Sequence, residues 1–166
     1  MSEDDIAAVM RIQAECYPSF MQESGAVFRA RRDQTPATCW VWSQQGQDPA
    51  AYLFSYPSNK NVITALDHPF KIAATPDCLY LHDLAVAPDA RGRRAGNALV
   101  AAALKYARES DMRWSALVSV QQSQIFWGAL GYAAVEVGHS PARENLASYH
   151  ISANQARAVY MLQCLD

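Results

Sequence analysis

Arginine and glycine crowd the short segment Arg91–Gly96, which contains three arginines and two glycines. It follows the apolar run Leu79–Val86 and precedes apolar residues that recur at helical spacing over Leu99–Ala107. A strand, a turn and a helix in this order bring the free N–H groups of the helix N-terminus to the turn, where they attract an anion such as phosphate. Arginine side chains strengthen such a site. The sequence therefore predicts a phosphate-binding turn, and the alternative is an ordinary strand–helix turn with a solvated basic surface.

His82 lies in the apolar run just before this turn and is the leading candidate for a proton acceptor. An imidazole with an unperturbed pKa of about 6.5 can be neutral at working pH and can take a proton from an amine. The alternative is a core histidine whose ring is satisfied by a neighbour. Asp83 is the second candidate, with a structural role as its alternative. Strand alternation would place His82 on one face with Tyr80, and Asp83 on the other.

The turn and its flanks resemble motif A of the GNAT N-acetyltransferase superfamily, in which a strand is followed by the pattern Gln/Arg-x-x-Gly-x-Gly/Ala. In that family the turn binds the pyrophosphate of acetyl-coenzyme A. Arg91 takes the first place of the pattern and Gly96 the last, but Arg94 stands where the family usually has glycine. Because backbone N–H groups hold the phosphate, an arginine is tolerated there if it keeps a helical φ.

The segment 121–132 resembles motif B of the same family, a helix that closes with Phe-Tyr-x-x-x-Gly-Phe. Trp127 replaces the tyrosine that commonly protonates the departing coenzyme A thiolate. An indole donates a hydrogen bond but does not ionise, so Trp127 is expected to pack on the pantetheine arm or to serve the core alone. Tyr132, Tyr149 and Tyr160 are unranked candidates for the acid, and a thiolate that leaves unprotonated is the alternative.

The resemblance implies that the motif A strand separates from its neighbour, so that backbone groups of Leu84–Val86 bind the pantetheine and one N–H stabilises the oxyanion. The run Leu81–Val86 is also similar to the arylalkylamine N-acetyltransferase branch, where a histidine in the place of His82 takes part in substrate deprotonation. Catalysis is therefore assigned to His82, with Asp83 second. Contacts to acetyl-coenzyme A, the cosubstrate, are assigned to Leu84, Ala85, Val86, Arg91, Gly92, Arg93, Arg94, Ala95, Gly96 and Trp127.

Hydrophobic periodicity places these motifs in a single domain over residues 1–166. The pattern predicts a first helix from Ile6 that ends before Pro18, and a second around Phe20–Arg31. Strands are predicted at 38–43, 50–56, 79–86, 113–120, 132–137 and 158–164. Alternation along the second of these places Tyr52, Phe54 and Tyr56 on one face. The proline-broken segment between Pro57 and Pro76 is expected beside the acceptor site.

By resemblance the fold class is α/β with mixed elements: a central mixed, mostly antiparallel twisted sheet flanked by about four helices. Members of the family usually begin with a strand before the first helix, whereas this chain starts almost at that helix. The sheet is therefore expected either to lack its first edge strand or to be covered there by a second copy in a homodimer.

Composition favours a compact, soluble protein, since 51% of the residues are apolar and 18% are charged. No apolar stretch reaches the roughly 18 residues of a membrane span and the first residues are acidic, so we expect a cytoplasmic protein without membrane contact. A net charge of −2 gives no reason to expect nucleic acid. The four cysteines and four histidines lack metal-ligand spacing, so no metal site is expected.

The function that the resemblance implies is transfer of an acetyl group from acetyl-coenzyme A to a primary amine. Tyrosines and tryptophans favour a small aromatic or aliphatic amine, and a protein N-terminus or lysine is the alternative acceptor. A non-catalytic acyl-coenzyme A sensor would keep the phosphate turn and lose the acid, as Trp127 allows. A nucleotide or sugar-phosphate binder is disfavoured because the glycines do not form a dinucleotide-binding or P-loop pattern.

Overall fold

The computed structural model describes residues 1–138, 141–149 and 157–166, and a six-stranded sheet forms its centre. The strands lie in the spatial order β1, β2, β3, β4, β6, β5. Only β3 and β4 pair in parallel among the described strands. The mixed, mostly antiparallel sheet implied by the resemblance is confirmed. In chain order the strands are β1 (Cys39–Trp42), β2 (Ala51–Ser58), β3 (Cys78–Val86), β4 (Trp114–Ser119), β5 (Ala133–Ala134) and β6 (Val159–Cys164).

Helices flank this sheet, and a side-chain cap sets the start of one of them. The first helix ends before Pro18, as predicted. The second begins at Gly25 rather than at Phe20, because the Ser24 hydroxyl accepts a hydrogen bond from the Val27 N–H at 3.3 Å and caps it. In the described part of the chain the helices are α1 (Ile6–Cys16), α2 (Gly25–Gln34), α3 (Ala95–Glu109), α4 (Gln124–Ala129) and α5 (Ala142–Ala147).

The sheet separates two apolar cores. On one side α1 and α2 cover β2, where Tyr52, Phe54 and Tyr56 are fully buried. Phe28 of α2 stacks on Phe54 with ring centroids 4.9 Å apart. The predicted alternation of aromatic residues along β2 is therefore confirmed. The other side holds the apolar stripe of α3, formed by Leu99, Val100, Ala103, Leu104 and Ala107.

β3 carries one extra residue opposite β2, and that residue is His82. The register pairs Phe54 with Asp83 and Ser55 with Leu81, so His82 has no direct partner across the ladder. A bulge of this kind interrupts the alternation of side chains. Both His82 and Asp83 consequently contact residues of the core that α1 and α2 cover. The prediction that they occupy opposite faces is wrong.

β1 forms one edge of the sheet, and no strand precedes α1 among the residues that the structure describes. The amino group of Met1 instead donates to the Cys39 carbonyl at 3.1 Å. At the other edge, the strand predicted at 132–137 is limited to Ala133–Ala134. No helix in the described ranges is long and apolar enough to cross a membrane.

Candidate active site

β3 and β4 separate half-way along their length. Their parallel pairing ends at Leu81 and Leu117, whereas β2 stays paired with β3 to the end of that strand. The Ala87 N–H donates to the carbonyl of Ala50, just before β2, at 2.9 Å, and alternation along the ladder then turns the backbone groups of Leu84 and Val86 away from β2. These groups face the gap, where the resemblance expects the pantetheine.

Two side chains at the end of α1 already contact the backbone at this gap. The Tyr17 hydroxyl donates to the Leu84 carbonyl at 3.0 Å, and the Cys16 thiol donates to the Val86 carbonyl at 3.3 Å. A carbonyl oxygen has two lone pairs, so each can accept a second hydrogen bond from a ligand. Sequence reasoning did not single out Tyr17, because only the folded chain brings it beside β3.

A cavity of about 370 Å³ extends from the N-terminus of α3 through the gap to a buried polar cluster. Both predicted catalytic residues line it, as do eight of the ten residues assigned to the cofactor. Gly92 and Arg93 do not. The lining at the α3 end includes Arg91, Arg94, Ala95, Gly96, Phe126 and Trp127, and at the other end Tyr17, Met21, Glu23, Leu66, His82, Asp83 and Tyr149.

Arg94 starts α3 in a left-handed conformation, with φ 61° and ψ 20°. A residue with a Cβ atom loses about 1 kcal/mol in this region, which is why glycine suits the position. The condition stated above for an arginine at this place, a helical φ, is therefore not met. Its side chain does not cap the helix, so the first N–H groups of α3 remain available to an anion.

Gly96 lets α3 approach α4 closely. A Cβ atom on Gly96 would lie 3.3 Å from the Phe126 ring and 3.5 Å from a methyl group of Val86. Trp127, only 7% exposed, packs edge-on against both Phe126 and Tyr132 and also lines the cavity. Sequence reasoning did not single out Phe126, although it is the aromatic residue of motif B that packs beside Gly96.

Glu23 and Arg31 form a buried ion pair at the other end of the cavity. Their side chains are 4% and 0% exposed, and the guanidinium contacts both carboxylate oxygens. Burial opposes ionisation of Glu23, but the contacts to His82 and Arg31 outweigh it and hold the Glu23 pKa well below its usual value. Glu23 is therefore a carboxylate at neutral pH. Neither residue was predicted, since an Asp, Glu or Arg in a helical or turn pattern gives no signal of burial.

His82 lies beside this pair. Its side chain is 1% exposed, and its Nε2 is 3.6 Å from a Glu23 carboxylate oxygen. The edge of the Phe70 ring contacts it, with ring centroids 5.3 Å apart. Burial, aided by the charge of Arg31, lowers the pKa of His82 below its ordinary value even though Glu23 opposes the shift. The imidazole is therefore neutral at pH 7 and can accept a proton.

Asp83 is buried next to His82 and is held by two tyrosines. The hydroxyls of Tyr17 and Tyr52 each donate to its carboxylate at 2.8 Å. Burial and the nearby charge of Glu23 raise the pKa of Asp83 to about 6, although both hydrogen bonds oppose the rise. At neutral pH the cluster thus holds two carboxylates against one guanidinium. Among the described residues no group of His, Cys, Asp and Glu gathers as metal ligands.

The loop between β2 and β3 closes the polar end of the cavity, where Leu66 lines it. Arg31 holds the loop through two bonds to the His68 carbonyl, at 2.7 and 3.1 Å. From the opposite side the Tyr149 hydroxyl donates to the Thr64 carbonyl at 2.8 Å. The loop therefore lies beside Glu23 and His82 at this end of the cavity, and its place beside the acceptor stays a prediction.

Only one of the three tyrosines considered as an acid lines the cavity, and it is Tyr149. Its hydroxyl proton is engaged by a backbone carbonyl, and burial raises its pKa far above the ordinary value. The Tyr132 hydroxyl instead shares a hydrogen bond of 2.7 Å with the Ser115 hydroxyl, and Tyr132 lies in the core on the α3 side of the sheet. The Tyr160 hydroxyl accepts from the Asn61 N–H at 3.0 Å.

Comparison with protein families identifies the family of this chain. A model of the acetyltransferase (GNAT) family matches residues 6–132, which include the gap, the turn Arg91–Gly96 and both motif segments. The chain belongs to this family. Comparison with curated protein sequences finds no match.

Solved structures share the fold of this GNAT chain at low sequence identity. A GNAT-like decarboxylase named GphF, bound to isobutyryl-coenzyme A, superposes with a TM-score of 0.77 at 16% identity, covering 100% of this chain and 97% of that one. The loading GNATL domain of CurA from Lyngbya majuscula gives 0.75 at 12% identity over 98% and 94%. The ribosomal-protein-S18-alanine N-acetyltransferase of Escherichia coli gives 0.68 at 14% identity over 100% and 91%. These likenesses confirm the fold, and the arylalkylamine branch stays a prediction.

Proposed function

We propose that this GNAT protein transfers the acetyl group of acetyl-coenzyme A directly to the primary amine of a small molecule, with His82 as the general base. One observation carries the proposal: a single cavity joins the N-terminus of α3 and the open edge of β3 to a buried, neutral imidazole. The first two features suit a phosphorylated thioester. The third suits an acceptor that must lose a proton.

The cofactor would enter at the N-terminus of α3. Its pyrophosphate would accept hydrogen bonds from the first N–H groups of the helix, with Arg91 and Arg94 at the mouth of the cavity. The pantetheine arm would run along Leu84 and Val86, whose backbone groups face the gap. A backbone N–H there would stabilise the tetrahedral oxyanion.

The acceptor would occupy the polar end of the cavity. With Glu23 and Asp83 ionised and Arg31 protonated, this end carries one net negative charge and attracts an ammonium group. His82 accepts the proton that the ammonium releases, and the resulting amine attacks the thioester carbonyl. The nitrogen then loses its second proton to the departing coenzyme A thiolate, so that the thiol leaves as the amide forms, and His82 releases the first proton to water.

Negative charge at the acceptor end also argues against the chemistry named for one similar structure, a decarboxylase. A substrate that loses carbon dioxide brings its own carboxylate to the thioester. Glu23 and Asp83 would repel that group in a buried site. Apolar and aromatic neighbours, Met21, Leu66 and Tyr149, instead favour a small amine with an apolar body.

Calorimetry with acetyl-coenzyme A, followed by thiol release against a panel of amines, tests the proposal. The panel includes small aromatic and aliphatic amines and peptides with free N-termini, and malonyl-coenzyme A is run alone for carbon dioxide release. We expect micromolar or tighter binding and turnover with a small amine. Binding without turnover of any acceptor would favour the sensor function, and faster peptide acetylation would reassign the acceptor to a protein.

A further inference from the structure

Glu23 is held rigidly although it lies outside any helix or strand. Gln13 of α1 bonds both backbone groups of Glu23, accepting from its N–H at 2.6 Å and donating to its carbonyl at 3.0 Å. One carboxylate oxygen accepts from the Asp67 N–H and from Arg31, each at 2.7 Å. The other oxygen contacts Arg31 and faces His82. These contacts fix the orientation of the carboxylate, so that its second oxygen faces His82.

The two ring nitrogens of His82 lie in different surroundings. Nε2 faces the Glu23 carboxylate at 3.6 Å. Nδ1 is buried and has no hydrogen-bond partner in the described part of the chain. A neutral imidazole carries one N–H donor and one lone pair, and a carboxylate only accepts. Attraction to Glu23 therefore favours the proton on Nε2.

We propose that Glu23 is a positioning residue that holds His82 in the Nε2–H tautomer and so makes Nδ1 the nitrogen that takes the proton from the acceptor. The inference rests on the proposed function for the identity of that proton, but not for the tautomer itself. The separation of 3.6 Å is longer than a hydrogen bond, and contacts of this kind commonly shorten when substrate binds. Nδ1 is buried and has no partner in the described part of the chain. It is then the atom that forms a hydrogen bond with the substrate or with an intervening water.

The groups around His82 agree with this assignment. Arg31 on α2 contributes positive charge, which disfavours the imidazolium, and Glu23 compensates it. Phe70 and Tyr80 flank the ring and bring no charge at neutral pH. Asp83, the adjacent residue on β3, is bonded to tyrosines rather than to the ring. Glu23 is thus the carboxylate that sets the tautomer.

Nitrogen-15 NMR of histidine-labelled wild-type protein tests the proposal without any assay of activity. The His82 signals are identified by their loss in His82→Gln. We expect a protonated, pyrrole-type Nε2 and an unprotonated, pyridine-type Nδ1 at neutral pH. The opposite pattern, or rapid averaging of both tautomers, would overturn the proposal even if the protein acetylates amines.

Glu23→Gln provides the second test, since it keeps the shape of the side chain and removes its charge. We expect the His82 pKa to fall, because Glu23 is the group that raises it, and the acidic limb of the kcat/KM profile to move to lower pH. Because a positioning contact supports the base, kcat should fall by about 10- to 100-fold, with little change in the KM for acetyl-coenzyme A.

The exposed Glu15→Gln serves as the matched control and should leave both readouts unchanged. A uniform loss of rate with no shift of the His82 pKa would assign Glu23 a purely structural role and refute the proposal. If Glu23→Gln does not fold, the wild-type NMR measurement decides the tautomer alone. Failure of the proposed function would appear separately, as absent turnover in a protein whose His82 tautomer is still fixed.

Discussion

Substitution of Asp83 by asparagine should flatten the pH dependence of the protein's stability, so that the variant gains stability relative to wild type as the pH rises. Burial raises the pKa of Asp83 from its ordinary value of 3.8 to about 6. Because the folded protein binds this proton more tightly than the unfolded chain, the group favours folding most below about pH 4 and loses that contribution as the pH rises through about 6.

The magnitude follows from the size of the shift. About two pKa units correspond to ~3 kcal/mol between the fully protonated and fully ionised limits. Between about pH 5 and about pH 8, ionisation of Asp83 should lower the free energy of unfolding of the wild type by ~1.4 kcal/mol. Asparagine keeps an acceptor for one of the two tyrosine hydroxyls and carries no charge. The variant Asp83→Asn should therefore lack this pH-dependent loss of stability.

Urea unfolding at several pH values between these limits measures the effect. The difference in free energy of unfolding between Asp83→Asn and wild type should grow in favour of the variant by ~1.4 kcal/mol from about pH 5 to about pH 8. Asp48→Asn, at an exposed turn, should follow wild type throughout. A difference that stays constant with pH would refute the reasoning, because it would mean that burial does not perturb Asp83.

Substitutions at three residues test the cofactor end of the cavity. Gly96→Ala places a methyl group 3.3 Å from the Phe126 ring. Calorimetry should therefore show that the affinity for acetyl-coenzyme A falls by about tenfold or more, and unchanged affinity would remove Gly96 from the site. Arg94→Gly relieves the left-handed φ and should raise the free energy of unfolding by about 0.5 kcal/mol, whereas a loss of stability would mean that the side chain makes compensating contacts. Trp127→Phe should be nearly silent in kcat, and Trp127→Ala should raise the KM for acetyl-coenzyme A, because it removes about 150–250 Å² of aromatic surface. A several-fold gain in kcat and an alkaline limb in Trp127→Tyr would mean that the missing acid limits the enzyme.

Residue patterns predicted the parts of the fold and site that depend on short segments. The strand, turn and helix around Arg91–Gly96 are contiguous in the chain, so periodicity and glycine placement were enough to predict these elements, and anion binding at the turn stays a prediction. The aromatic alternation of β2 was predicted for the same reason. One inserted residue at His82 was not, because a bulge leaves the apolar pattern of β3 intact while it redirects the side chains.

Contacts between distant segments escaped sequence reasoning. Glu23 belongs to a short connection between helices, and its role depends on Arg31 from α2 and His82 from β3. Tyr17 reaches Asp83 across 66 positions of the chain. A single sequence carries no signal for such pairings, since burial of a charged residue is decided by the packing of whole elements.

The kcat/KM of His82→Ala, measured from about pH 6 to about pH 9 with the best amine of the panel, tests the central claim most directly. A general base typically contributes 10²- to 10⁴-fold, so we expect a loss of about that size and disappearance of the acidic limb of the profile. Affinity for acetyl-coenzyme A, measured by calorimetry, should remain close to that of wild type, because His82 lies at the acceptor end of the cavity. Wild-type kcat/KM across the whole range would contradict the account and remove His82 from proton transfer.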